Sequence, residues 1–246
     1  MKYNLIVVEG PDDLAAIREL FQRRYGPVKT EGVHVAPGQP RTARFAWSDV
    51  ETQVMVAMDK RRVAVRVKEQ MQAIPTSDRP YCQIGVCFDP DEHDDGTVHA
   101  WLREECGVPD ATPGDGVYRA TCGNAKVDIV PLPWDLGPMF DELKDFRNLE
   151  RVALAVLAKT DAGEGKLIEE LLEKVRSANK NISWKTAFRL WAAIRYADCD
   201  PGAGGAMAQV FGQDEQARQA LETVLKDSPF LVRLRRFAGS PPPCAQ

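Results

Sequence analysis

Two short apolar runs, each followed at once by an acidic turn and a helical pattern, constrain the fold of this chain more than any other feature. The first covers residues 5–8 (LIVV) and leads into the turn 9–12 (EGPD); the second covers 81–88 (YCQIGVCF) and leads into 89–91 (DPD). Such runs are typical of strands buried on both faces of a parallel sheet. The pattern therefore predicts an α/β fold built from strand–turn–helix units.

The rest of the chain predicts further strands and then a helical C-terminal part. Residues 26–47 are expected to be irregular apart from a short strand at 33–35, and a capping box formed by Ser48 and Glu51 predicts a long helix from 49 to about 73. Alternating strands and helices favour a mostly parallel sheet with helices on both faces. The other predicted elements are strands at 117–120 and 127–132, and helices at 149–158, 166–175, 184–197, 214–226 and from Ser228 onward.

These elements predict one α/β core with additions. The core spans residues 1–140 and contains a helical insertion at about 48–74. A helical region, 141–238, is expected to pack on this core, and the proline-rich tail 239–246 is expected to be disordered.

Composition excludes several classes of protein. A net charge of −4 argues against a protein that coats nucleic acid by charge alone, but it permits a local basic groove. The six cysteines form no C-x-x-C pair, which argues against a zinc finger and predicts reduced thiols in a cytoplasmic protein. The apolar run at the N-terminus is too short for a signal peptide, and none reaches the ~18 residues of a membrane helix.

Acidic residues that follow buried strands predict a ligand site. Open parallel sheets bind ligands outside the carboxyl ends of their strands. If the two strands are neighbours, Glu9, Asp89 and Asp91 converge there. Clustered carboxylates raise each other's pKa, and a hard cation such as Mg²⁺ relieves their repulsion and can activate a phosphoryl group. The alternative is that both are ordinary solvated turns.

Three other patterns for binding cations or phosphate fit poorly. An EF-hand that starts at Asp91 would place Leu102 at its last ligand position, and one that starts at Asp89 would place Asp94 where Gly is needed. The segment 163–166 (GEGK) lacks the first Gly and the Ser or Thr of a P-loop. A receiver-type phosphoacceptor domain needs a lone Asp at a strand end, whereas this chain has an Asp-x-Asp turn.

The two acidic motifs resemble those of Toprim domains, the topoisomerase–primase fold. Residues 5–13 are similar to the first Toprim motif, a strand followed by Glu-Gly and by an Asp three residues after the Gly; residues 88–91 are similar to the second, Asp-x-Asp. The chain resembles most the stand-alone prokaryotic Toprim proteins related to the nuclease half of the OLD family. This resemblance implies a Rossmann-like sheet flanked by helices, with an Mg²⁺ site that acts on phosphodiesters.

The resemblance also implies roles for the residues of the two motifs. Glu9 would be a metal ligand or general acid–base, and Asp89 and Asp91 would be metal ligands. Asp13 would support Glu9 or help to hold a second metal ion.

Three residues outside those motifs are further candidates. Glu150, on a later helix, would be an additional metal ligand, and Lys185 would stabilise the charge that develops on phosphate. His93 stands where many Toprim sites have another acid; it would suit Mn²⁺, or it lies on the surface.

Two functions are compatible with these features. The first is a metal-dependent nuclease for DNA or RNA, because the basic stretches 60–68 and 233–236 can neutralise backbone phosphates. By family analogy it would act in defence against phages or plasmids, with a separate ATPase or sensor partner, since this chain has no ATPase signature. The second is a regulatory module that binds metal or nucleic acid without catalysis. The sequence leaves the oligomeric state open.

Overall fold

A seven-stranded mixed sheet forms the centre of the molecule. The structure is a computed structural model, and it describes residues 1–25, 42–47, 49–89, 95–108, 113–114, 116–134, 148–160, 184–196 and 209–238, together with Met207 and several residues between 163 and 177. The strands are β1 (Lys2–Val8), β2 (Thr42–Trp47), β3 (Val50–Val56), β4 (Tyr81–Phe88), β5 (Pro113–Gly114), β6 (Val117–Cys122) and β7 (Ala125–Pro133). Their spatial order is β2-β3-β1-β4-β7-β6-β5.

Four parallel strands form the middle of this sheet, and antiparallel strands flank them. β3, β1, β4 and β7 are parallel, whereas β2 pairs antiparallel with β3, and β6 pairs antiparallel with both β7 and β5. The predicted α/β sheet is confirmed, but it is mixed rather than mostly parallel. The short turn at Gly123 accounts for part of the difference, because a connection of two residues between β6 and β7 permits only a hairpin.

Helices cover both faces of the sheet. They are α1 (Pro11–Tyr25), α2 (Lys60–Ala73), α3 (Asp95–Glu104), α4 (Leu149–Thr160), α5 (Trp184–Arg195), α6 (Glu215–Leu225) and α7 (Pro229–Leu234), followed by a 3₁₀ helix, Arg235–Ala238. Alternate residues of β1 serve the two faces: Leu5 and Val7 pack with α2 and α3, and Ile6 and Val8 with α1 and α4–α7. The C-terminal helices thus share a hydrophobic core with the sheet. None of the helices in the described part of the chain has the length and apolar character needed to span a membrane.

The first part of the predicted helix 49–73 is wrong. Residues 50–56 are the inner strand β3, and α2 begins at Lys60, where the Asp59 side chain accepts a hydrogen bond from the Arg62 amide at 2.8 Å. The alternating burial of β3 outweighs the local capping box. Helix α2 is therefore the crossover from β3 to β4. Residues 42–47, expected to be irregular, form β2; the predicted strand 33–35 and tail 239–246 lie outside the described residues.

An ion pair holds α5 against the start of α6. Arg195 and Asp214 approach to 2.6 Å, with side chains 12% and 11% exposed. Asp214 also caps α6 by accepting from the Ala217 amide at 3.0 Å, and it accepts from the Tyr196 hydroxyl at 2.8 Å. Burial raises the pKa of Asp214, but these donors outweigh it, so the pKa lies below its usual value.

Asp214→Asn is expected to reduce stability by about 1 kcal/mol at neutral pH. Because the pKa of Asp214 is lower in the folded state, its ionised form stabilises the fold above about pH 4, and this contribution is lost as the pH falls below that value. Asparagine keeps the helix cap but removes the charge. Urea denaturation at about pH 7 and about pH 3.5 should show a gap between variant and wild type that narrows in acid; an equal gap at both would contradict the ionic role.

Candidate functional site

The strand order places the two acidic turns at one crevice. β1 and β4 are neighbours, and Val7 pairs with Val86, so the two strands end side by side. After β1 and α1 the chain forms β2 and β3 on one side of β1 in the sheet. It then crosses to the other side of β1, where β4 and β7 lie. Open α/β sheets bind ligands at such a reversal, outside the carboxyl ends of the strands. Glu9 follows β1 and Asp89 follows β4, so both lie at this crevice.

Asp89 is the centre of a group of carboxylates. Burial raises the pKa of Asp89 well above its usual range, and three neighbouring carboxylates raise it further: those of Asp13, Glu150 and Glu9. The main-chain N–H of Leu149 opposes this shift by donating to Oδ1 of Asp89 at 3.1 Å. Glu9, Asp13 and Glu150 thus lie close enough to Asp89 for their charges to raise its pKa.

Asp13 is held rigidly at the start of α1. Helix α1 begins with Pro11, and Oδ2 of Asp13 accepts a hydrogen bond from the Gly10 amide at 2.7 Å, as the third residue of a capping box does. Oδ1 accepts from Nε1 of Trp134. Burial raises the pKa of Asp13 to about 7, Glu9 adds to that shift, and the two donors oppose it. These contacts support the first of the two implied roles of Asp13, that of orienting the turn that carries Glu9.

Trp134 is part of the site, although the sequence analysis did not single it out. It follows β7, is 1% exposed, and stacks on Phe230 of α7 with 4.0 Å between ring centroids. Its position directly after a strand is the sequence signal that could have identified this role. The indole N–H of a buried Trp also needs a hydrogen-bond acceptor, and here Asp13 supplies one. Through Trp134 the acidic turn of β1 is connected to the C-terminal helices.

Helix α4 delivers Glu150. Asn148 caps this helix by accepting from the Arg151 amide at 2.9 Å, and Glu150 lies in the first turn, where the helix dipole favours an acid. Oε2 of Glu150 is buried, and its negative charge is one of those that raise the pKa of Asp89. Glu150 therefore reaches the carboxylates although it is far from them in the sequence.

Several predicted site residues are described only in part or not at all. Asp91 and His93 lie outside the described residues, and so does the side chain of Lys185, which is located on α5. Among the residues that are described, no group of three or more His, Cys, Asp or Glu side chains is arranged to hold a metal ion. The described carboxylates are near enough to raise the pKa of Asp89, yet they do not by themselves form a complete coordination sphere.

The chemistry of the donors fits a hard cation. Carboxylate oxygens are the ligands that Mg²⁺ prefers. Among the thiols in the described part of the chain, Cys87 lies near these charges: burial raises its pKa well above the usual value, and Asp13, Asp89 and Glu9 raise it further, so the thiol stays protonated in the absence of metal. Four of the cysteines, including Cys87, form no disulfide among the described residues; Cys199 and Cys244 lie outside them.

Comparison with known proteins shows a fold and no function. No family model matches the chain, and no curated protein matches it. The crystal structure of hypothetical protein PH0156 from Pyrococcus horikoshii OT3 is similar, with a TM-score of 0.64 over 97% of this chain and 100% of that one. Sequence identity is 19%, which at this level shows a shared fold alone.

Proposed function

We propose that the chain is an Mg²⁺-dependent phosphodiester-cleaving enzyme of the Toprim type, a nuclease that acts on DNA or RNA. One observation carries this proposal: the partly buried Asp89 carboxylate lies within reach of the negative charges of Asp13, Glu150 and Glu9, at the carboxyl ends of β1 and β4. Holding such charges together costs folding free energy, and a divalent cation offsets that cost. A fold that keeps this arrangement is suited to binding such an ion.

Each acidic residue of the site would have a distinct role in binding the ion. Glu9, Asp89 and Glu150 would hold the ion with Asp91 as a further ligand, and Asp13 would orient the Glu9 turn. Bound Mg²⁺, or Mn²⁺, would polarise the phosphoryl oxygen and lower the pKa of a bound water.

Two assignments beyond the ligands complete the proposal. Glu9 would also transfer a proton to or from the reacting oxygens, and Lys185 would stabilise charge on the phosphate. His93 stays a candidate for a ligand that suits Mn²⁺.

Basic residues beside the crevice support nucleic acid as the substrate class. Helix α2 begins next to the site with Lys60, Arg61 and Arg62, and both arginines are exposed. Exposed cations of this kind neutralise backbone phosphates without reading the sequence. An ATPase or sensor partner and a role in defence against phages or plasmids enter the proposal through the family resemblance.

A second candidate is a regulatory module that binds metal or nucleic acid without catalysis. It is favoured by the low net charge of −4 and by His93, which stands where many Toprim sites have a further acid. A module of this kind would bind Mg²⁺ or nucleic acid and leave the phosphodiester intact.

A cleavage assay separates the two candidates. Purified protein is incubated with supercoiled plasmid, single-stranded DNA and structured RNA, with Mg²⁺, Mn²⁺ or EDTA. We expect cleavage of at least one substrate with metal and none with EDTA. As a matched control, Glu104→Gln removes a carboxylate that is 61% exposed on α3 and should cleave like the wild type. Binding without cleavage would favour the regulatory module, and the absence of both would contradict both candidates.

A further inference from the structure

Lys60 reaches the site from the far side of β1. Its Nζ donates a hydrogen bond to the main-chain oxygen of Asp89 at 2.9 Å. Lys60 comes after β3 and Asp89 comes after β4, and β1 lies between these two strands in the sheet. The contact therefore links the ends of two strands that are not neighbours, beside the turn that carries Glu9.

The turn that delivers Lys60 has an unfavourable backbone. Met58 has a φ of 83°, in the left-handed region, which costs a residue other than glycine about 1–2 kcal/mol. Its side chain is 54% exposed, so burial of Met58 does not compensate. The conformation is held instead by the contacts on either side, since the Ala57 amide donates to the Val8 oxygen at 2.8 Å and Asp59 caps α2.

The start of α2 breaks a second local rule. Its first three residues, Lys60, Arg61 and Arg62, are basic, and its first turn contains no acid. The positive end of the helix dipole disfavours cations there, by roughly 0.3–1 kcal/mol each. Two local costs at one turn are typical of a position that is kept for the site rather than for folding.

We propose that Lys60 is a positioning residue of the metal site. By holding the main-chain oxygen of Asp89, Lys60 keeps the Asp89 carboxylate directed toward the Leu149 amide and the other acids. This inference rests on the proposed function, because it assigns Lys60 to the same cation site. Loss of a hydrogen bond that holds a metal ligand in place typically weakens metal binding by about 10–100-fold, a change that calorimetry measures directly.

Calorimetric titration of EDTA-treated protein with Mn²⁺ tests the role of Lys60. We expect Lys60→Met to bind Mn²⁺ about 10-fold more weakly than the wild type, and Lys60→Arg, which keeps a donor, to recover part of that loss. Lys226→Met is the control, because it removes the same charge from an exposed lysine at the end of α6, where solvent screens the charge, and it should leave the affinity unchanged. Loss of a positive charge near the site would by itself strengthen cation binding. Weaker Mn²⁺ binding by Lys60→Met, and not by the control variant, therefore reports the loss of the hydrogen bond to Asp89.

The outcomes distinguish a failure of this inference from a failure of the proposed function. If the wild type binds Mn²⁺, Asp89→Asn does not, and Lys60→Met binds as tightly as the wild type, the role of Lys60 is overturned and the metal site stands. If the wild type itself does not bind Mn²⁺, the metal site and the role of Lys60 fall together. Should Lys60→Met not fold, Lys60→Gln carries the same expectation, with folding checked by circular dichroism.

Discussion

Asp89→Asn is expected to make the metal-free protein more stable at neutral pH while abolishing cleavage and the response to Mg²⁺. The pKa of Asp89 is raised well above its usual range, so its charged form is disfavoured in the folded state and not in the unfolded chain. Asparagine removes the charge, and its Oδ1 can still accept from the Leu149 amide. We expect a gain on the order of 1–3 kcal/mol without metal, and a loss of cleavage on the order of 10³-fold.

The sign of the pH dependence follows from the same shifts. The pKa values of Asp89 and Asp13 in the folded protein lie above the value of about 3.9 for an aspartate in the unfolded chain. The folded state therefore binds more protons than the unfolded state, and the protein loses stability as the pH rises from about 4. For Asp13, whose pKa is raised to about 7, the loss continues up to roughly that pH. In EDTA the wild type should therefore be less stable at about pH 8 than at about pH 5, and Asp89→Asn should show a smaller decrease.

Urea denaturation with EDTA and then with Mg²⁺ checks both statements. Mg²⁺ should raise the unfolding free energy of the wild type at about pH 8 and leave that of Asp89→Asn unchanged, since a ligand stabilises the state that binds it. Glu104→Gln is the matched control and should behave like the wild type in both solutions. An Asp89→Asn protein less stable than the wild type in EDTA would show that the carboxylate contributes to folding and would remove the main support for a cation site.

Gly85→Val is expected to produce the largest loss of stability, about 3 kcal/mol or more, because it inserts atoms into a filled core. A Cβ at Gly85 would lie 2.9 Å from Cδ1 of Leu132, 2.9 Å from Cζ of Phe237 and 3.2 Å from Cγ1 of Ile6. All three side chains are fully buried. Both neighbours at 2.9 Å are fully buried, so neither side chain can make room by turning into solvent.

The cost should extend to the docking of the C-terminal segment. The main-chain oxygen of Phe237 accepts hydrogen bonds from Nδ2 of Asn4 at 3.1 Å and from Oγ1 of Thr52 at 3.0 Å, so displacing the Phe237 ring strains both contacts. Chemical denaturation should place Gly85→Ala between the wild type and Gly85→Val. Gly212→Ala is the control, because a Cβ there meets nothing within 4 Å. Equal midpoints for Gly85→Val and Gly212→Ala would contradict the packing argument.

Some features were predictable because their causes lie within a few residues. The apolar runs of β1 and β4 imply buried strands, and the helix at Pro229 was predicted from Ser228, whose Oγ accepts from the Leu231 amide at 3.1 Å. The same reasoning failed at Ser48 and Glu51, where a good local cap competes with a strand whose partners lie far away in the chain. Local signals predict an element only where the rest of the fold does not oppose them.

The chemistry of the site and its geometry have different origins. By itself the sequence determined that Glu9 and Asp89 each follow a buried strand, because strand length, apolar content and the next residue are local properties. Only the tertiary structure decided that the two strands are neighbours. It also brings Trp134 to Asp13 and the start of α4 to Asp89. Those distances follow from strand order and from the packing of helices across the whole chain, and no window of sequence contains that information.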